Sequence, residues 1–275
     1  MGGLLINADE LRESLASVLA PNLLDVRWTL QAGPQLDEYA RGHIPGAAFV
    51  DLERDLSAPA GLRGRHPLPD AAEFEDAMRR AGVRADRAVV VYDDAGGLPA
   101  ARAWWLLRYF GHWDVSLLDG GLRAWKQSGG ELETGALAGA AAGDFTAVPG
   151  GMPVLDADSA GALARVGVLL DARAPERFAG DVEPLDPVAG HIPGARNWPM
   201  ARSLGSDGRL LDPAALRASL PDLGGLEVGA YCGSGVTAAH TVLALELAGI
   251  SAALYPGSWS EWVADPRRPV ATGSE

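Results

Sequence analysis

The stretch YARGHIPGAAFV, Tyr39 to Val50, is answered further along the chain by AGHIPGARNW, Ala189 to Trp198. The tetrapeptide His-Ile-Pro-Gly starts at His43 and again at His191, an offset of 191 − 43 = 148 residues. Upstream, Asp25 in LLDV and Asp171 in LLDA stand 171 − 25 = 146 residues apart, so the two registers differ by a short insertion. A repeat this long means two copies of one domain, not a solenoid of units of about 20 to 50 residues. The copies are expected over residues 1–133 and 154–275. Residues 134–153, rich in Ala, Gly and Pro without a sustained apolar period, read as the linker.

Within each copy, short apolar runs alternate with amphipathic segments. NLLDV, AVVVY and VSLLDG in the first half, and GVLLDA, VGAY and AALYPG in the second, read as buried strands. AAEFEDAMRRAG, LPAARAWWLLRYFG and TAAHTVLALELAG read as helices that close at Gly82, Gly111 and Gly249. This alternation predicts an α/β fold, a mostly parallel sheet flanked by helices, once per half. Ligands of such sheets sit at the carboxyl ends of the strands. Cys232 lies at such an end, after VGAY and just before a helix.

Composition narrows the function classes. A chain of 275 residues, 48% hydrophobic and 21% charged, can bury proper cores. The formal net charge of −13, from 36 acidic and 23 basic residues, opposes nucleic acid and anionic membrane as partners. An anionic substrate must then be drawn by locally placed arginines. The single cysteine excludes an intramolecular disulfide and suggests a reducing compartment. The N-terminal stretch carries early acidic residues and fits neither a signal peptide nor a membrane span, so the expected location is cytoplasmic. His112, His191 and His240 make no ligand spacing with Cys232, so neither a catalytic metal nor another cofactor is expected.

The sole cysteine heads the loop Cys232-Gly-Ser-Gly-Val-Thr237. Glycines allow the backbone N–H groups of such a loop to converge on one centre, and the following helix N-terminus favours a thiolate there. A buried inert thiol is the alternative. Matching Val91-Tyr92 to Ala230-Tyr231 puts Asp93 at the cysteine position of the first copy, which is therefore expected to be catalytically inactive. A cysteine phosphatase would carry arginine after five loop residues, where this chain has Ala238. Phosphoryl transfer is thereby disfavoured, and sulfur transfer through a cysteine persulfide remains.

YARGHIPGAAFV, GHIPGA, CGSGVTA and YPGSWSEW together resemble the two-domain rhodanese-like sulfurtransferases over nearly the whole chain. The resemblance implies two tandem rhodanese-like domains with Cys232 as nucleophile. The neutral loop is similar to that of 3-mercaptopyruvate sulfurtransferases, whereas thiosulfate-preferring members usually carry basic residues after the cysteine. It further implies that the amides of Gly233, Ser234, Gly235, Val236 and Thr237 hold the persulfide. Ser234 would relay a proton to an acid/base pair from the N-terminal domain, His66 with Glu53, Asp51 being the neighbouring choice. Each has a plainer reading: His66 as a loop histidine, Glu53 or Asp51 as a cap or surface charge, Ser234 as a small loop residue.

Arg177 matches the family arginine that grips the donor carboxylate, with a structural ion pair as the alternative. Arg173, Asp25 and Asp171 read as architectural. A second substrate arginine, common in the family after a Glu-Pro pair, is missing: VEPLDP places Leu185 and Asp186 there. Arg65 or Arg63 is the expected substitute. The expected partners are a small-molecule sulfur donor and a thiol, thioredoxin or cyanide acceptor, with the protein acting as a monomer. A thiosulfate:cyanide sulfurtransferase and a non-catalytic binding module are the competing readings.

Overall fold

In the computed structural model, residues 3–135 and 141–274 are described. They form two compact units: Met1–Ala58, Pro69–Met152 and Asp207–Arg209 make one, and Pro59–Leu68, Pro153–Ser206 and Leu210–Glu275 the other. The units depart from chain order at one important place. The segment Pro59–Leu68, which the sequence places in the first copy, folds into the second unit and brings Arg65 and His66 with it. No helix among the described residues is long and apolar enough to cross a membrane.

The sheet of the first unit runs Leu5–Ile6, Val115–Leu118, Val89–Tyr92, Asn22–Asp25, Ala48–Phe49 in spatial order, with every pair parallel. The sheet of the second runs Ala253–Leu254, Val228–Tyr231, Val168–Asp171, Arg196–Asn197, again all parallel. Four-residue central strands such as Val89–Tyr92 and Val228–Tyr231 are buried throughout, as helices on both faces require. Helix starts follow their caps: Asn7 and Asp156 form capping boxes with Glu10 and Ser159, and Asp70 caps Ala71–Arg80.

The repeated motif is an architectural lock, built the same way in each unit. Asp25 ends its strand and holds Arg27 bidentately, and Arg27 Nη2 donates to the Gly42 carbonyl at 2.9 Å. Asp171 holds Arg173, whose Nη2 reaches the Gly190 carbonyl at 2.7 Å. His43 stacks on Tyr39 at 3.9 Å and His191 on Phe178 at 3.7 Å, each with Nδ1 at a carbonyl oxygen of the same helical segment. The next residue is fixed too: the Ile44 and Ile192 N–H groups donate to the hydroxyls of Tyr92 and Tyr231. Burial works against the Arg173 charge, but Asp171 beside it more than compensates and raises its pKa. Removing one partner of such a buried pair costs about 3–5 kcal/mol.

The segment read as a linker has structure of its own. Residues 136–140 lie outside the described residues, whereas 141–152 pack on the first unit. Phe145 is buried against Phe74, and the Gly143, Val148 and Gly151 N–H groups donate to the Arg79, Phe110 and Tyr109 carbonyls. One aromatic side chain and a few main-chain bonds need no apolar period, which is why composition alone reads as a tether. Trp104, Trp105, Trp198, Trp259 and Trp262 are all buried, as their apolar positions suggest.

Candidate active site

Tyr231 is the last residue of the strand Val228–Tyr231 and pairs with Asp171 in the neighbouring strand. Cys232 follows at the sheet's carboxyl edge, and the helix Val236–Leu247 begins four residues later. The cysteine is 2% exposed, so burial alone does not distinguish a nucleophile from an inert thiol. The Gly235 N–H donates to Cys232 Sγ at 3.2 Å, from a left-handed φ of 81° that caps the helix. A Cβ on Gly235 would lie 2.3 Å from the Pro256 carbonyl oxygen, so only glycine brings this N–H to the sulfur.

The stretch YPGSWSEW braces the loop from behind. The Cys232 N–H donates to Ser258 Oγ at 3.1 Å, and Ser258 Oγ donates in turn to the Tyr255 carbonyl at 2.9 Å. The N–H groups of Trp259 and Ser260 donate to the carbonyls of Cys232 and Gly233, both at 3.0 Å. Ser258 adopts a φ of 54°, the only non-glycine residue at positive φ among those described. The sequence singled out this stretch for its resemblance but assigned it no task. Its two serines, which flank a tryptophan after Pro-Gly, were the available signal.

The loop Pro59–Leu68 reaches the same place. Gly61 and Gly64 exchange backbone hydrogen bonds at 3.0 Å, and Gly64 comes so close to the Gly257 carbonyl oxygen that a Cβ would lie 2.7 Å from it. The Arg65 N–H then donates to Ser260 Oγ at 3.1 Å. His66 Nδ1 lies 2.8 Å from Ser234 Oγ, with both side chains buried. Thus Cys232, Ser234 and His66 meet within one unit. Glu53 belongs to the other unit, where it is exposed and its Oε1 accepts from Trp28 Nε1 at 3.1 Å. Asp51, its alternative, caps a turn by accepting the N–H groups of Glu53 and Arg54.

Both sequence-selected arginines stand over the start of the cysteine loop. A Cβ on Gly233 would lie 2.8 Å from Arg65 Nη2 and 3.6 Å from each terminal nitrogen of Arg177. Arg63 is exposed. Arg177 is held by Glu183 through Nη2 at 2.6 Å and Nε at 3.2 Å, and its Nη2 is 3.5 Å from Asp186 Oδ2. Arg65 Nη1 also pairs with Asp186 Oδ1. Burial works against the Glu183 charge, but the Arg177 hydrogen bond and the Leu185 and Asp186 N–H groups prevail and lower its pKa. Glu183 and Asp186 are the members that sequence reasoning missed. Their signal was two carboxylates spaced three apart between Arg177 and the second His-Ile-Pro-Gly.

The first unit carries an aspartate at the position of the cysteine. Asp93 follows Tyr92, as Cys232 follows Tyr231. Its Oδ1 accepts the Ala95 and Gly97 N–H groups at 2.7 and 2.9 Å, and its Oδ2 accepts that of Ala100 at 3.0 Å. Burial nevertheless raises its pKa from the ordinary 3.8 to about 6.

Two parallel sheets of matching topology, each presenting a helix-capping loop at the strand ends, define the class. The chain matches the rhodanese-like domain over residues 7–128 and 156–265, and it belongs to that family. It is 54% identical over 249 residues to a Pseudomonas aeruginosa protein named as a candidate 3-mercaptopyruvate sulfurtransferase, covering 86% of each chain. It is 49% identical over 284 residues to SseB of Mycobacterium tuberculosis, named as a candidate thiosulfate sulfurtransferase, covering 99% of this chain and 98% of SseB. The crystal structure of SseA from Escherichia coli, described as a 3-mercaptopyruvate sulfotransferase, matches with a TM-score of 0.81 at 35% identity. That match covers 94% of this chain and 100% of SseA.

Proposed function

We propose that the protein is a sulfurtransferase that takes sulfur from 3-mercaptopyruvate onto Cys232 and passes it to a thiol, thioredoxin or cyanide. The observation that carries the reading is the cysteine loop: Sγ accepts a backbone N–H from Gly235, and no cationic side chain occurs from Gly233 to Ala238. Cys232 Sγ attacks the donor sulfur, the donor C–S bond breaks, and its electron pair passes to carbon, which takes a proton to give pyruvate. Cysteine and donor thus become a persulfide and pyruvate with no net oxidant. Cyanide then takes the outer sulfur as thiocyanate and returns the cysteine.

The amides of Gly233 to Thr237 hold the negative charge of the persulfide. Ser234 and His66, 2.8 Å apart, carry the proton between sulfur and the developing carbanion. Arg177 and Arg65 receive the donor carboxylate over Gly233. Asp93 leaves the first unit without a nucleophile. The reading requires no second copy, since these groups belong to one unit of one chain. A single reactive thiol suits a reducing compartment, and we assign the protein to the cytoplasm.

Thiosulfate as donor is the second reading, favoured by the name of the M. tuberculosis relative. The deciding experiment measures kcat/KM for both donors with cyanide as acceptor, with Cys232→Ser as control. A preference for mercaptopyruvate and a folded, inactive Cys232→Ser variant are expected. Full turnover by that variant would remove Cys232 from the mechanism, and a preference for thiosulfate would reverse the donor assignment.

A further inference from the structure

The ion-pair cluster over Gly233 contains two carboxylates in different situations. Glu183 is an anchor: it accepts from Arg173 and Arg177 and from the N–H groups of Leu185 and Asp186. Asp186 has a side chain only 4% exposed, yet among the described residues its oxygens have just the Arg65 pairing and the 3.5 Å approach of Arg177 Nη2. No backbone N–H among the described residues donates to it. Burial pushes its pKa up even with Arg65 and Arg177 alongside.

The same two guanidinium groups face the start of the cysteine loop, with Arg65 Nη2 2.8 Å and Arg177 Nη1 and Nη2 3.6 Å from the position of a Gly233 Cβ. An anion bound there would compete with Asp186 for these two guanidinium groups. The cluster is already balanced, because Arg65, Arg173 and Arg177 face Asp171, Glu183 and Asp186. An incoming monoanion adds one negative charge beside Asp186, whereas a dianion adds two. Repulsion by the aspartate scales with that charge.

We propose that Asp186 is a specificity-determining residue: a resident carboxylate that occupies Arg65 and Arg177 until the donor's anionic group replaces it, and whose charge discriminates against dianionic donors. The inference rests on the donor-binding role of this site. Asp186 keeps the two arginines ordered in the empty enzyme and makes the site selective for a carboxylate over a compact dianion. It thereby stands in for discrimination that a surplus of cations would abolish.

Asp186→Asn tests this without turnover when made in the Cys232→Ser protein and titrated calorimetrically with sulfate and with pyruvate. Sulfate is expected to bind about tenfold tighter or more, and pyruvate about threefold tighter, on removal of one nearby negative charge. Unchanged or weaker sulfate binding by the folded variant would overturn the proposal, and Asp186→Ser takes its place if the asparagine variant does not fold. With Cys232 restored, the thiosulfate-to-mercaptopyruvate ratio of kcat/KM should rise, chiefly through a lower KM for thiosulfate. If the wild-type protein turns over neither donor, the sulfurtransferase reading fails, while the anion titrations still judge Asp186.

Discussion

His66 Nδ1 and Ser234 Oγ lie 2.8 Å apart although 168 residues separate them in the chain. The contact depends on Gly64, whose missing side chain lets the 59–68 loop settle on the Gly257 carbonyl. The hydroxyl sits two residues after Cys232, which is the basis for proposing the pair as a proton relay.

A pair that works as one relay should fail as one. His66→Ala and Ser234→Ala are each expected to lower kcat by about 10²- to 10⁴-fold, the range of general acid–base catalysis. The double variant should be little worse than either single one. Strictly multiplicative losses in a steady-state double-mutant cycle would show the two side chains acting separately.

Arg177→Lys keeps the charge but loses the two-nitrogen grip seen toward Glu183. For mercaptopyruvate, kcat/KM should fall by roughly 10- to 100-fold, equivalent to about 1.5–3 kcal/mol for a charge-assisted contact. Thermal melting should change far less. A normal kcat/KM in the lysine variant would reduce Arg177 to a purely structural partner of Glu183.

Gly235→Ala would set a Cβ 2.3 Å from the Pro256 carbonyl oxygen, at a φ of 81°. The expected result is a loss of about 1–3 kcal/mol in urea unfolding, from the backbone strain alone, together with loss of turnover as the N–H leaves the sulfur. An unchanged unfolding midpoint would mean that the loop can relax around the methyl group.

Asp93 gives stability a pH dependence with a definite sign. Its folded pKa, about 6 against an ordinary 3.8, means that the folded chain holds this proton more tightly than the unfolded one. The contribution is therefore full below about pH 4 and is lost as pH rises through 6, by roughly 3 kcal/mol at most. Urea unfolding of the wild type and Asp93→Asn between pH 4 and 7.5 isolates it. The variant should lack this downward slope, and identical slopes would assign the effect to other groups.

The parallel sheets and the cysteine's position at a strand end were legible because strand burial and glycine spacing are local properties of sequence. His-Ile-Pro-Gly was legible as a repeat but not as a lock, since the Asp25–Arg27–Gly42 chain of bonds joins segments only in three dimensions. Arg177 and the pair of His66 with Ser234 could be picked out by resemblance, but the carboxylates that hold Arg177 could not. The pairing of Arg65 with Asp186 spans 121 residues, and no periodicity encodes a contact of that reach. The membership of Pro59–Leu68 in the second unit escaped notice for the same reason.

The Asp93 loop is a receptor whose occupant is part of its own sequence. Three backbone donors close on a carboxylate that cannot diffuse away, so its effective concentration is fixed by covalent geometry and not by the solution. An anion in the medium competes for that loop only against this effective concentration. On the proposed reading the corresponding loop of the second unit stays open to the donor's anionic group, so added anions are expected to stabilise the Cys232 loop far more than the Asp93 loop.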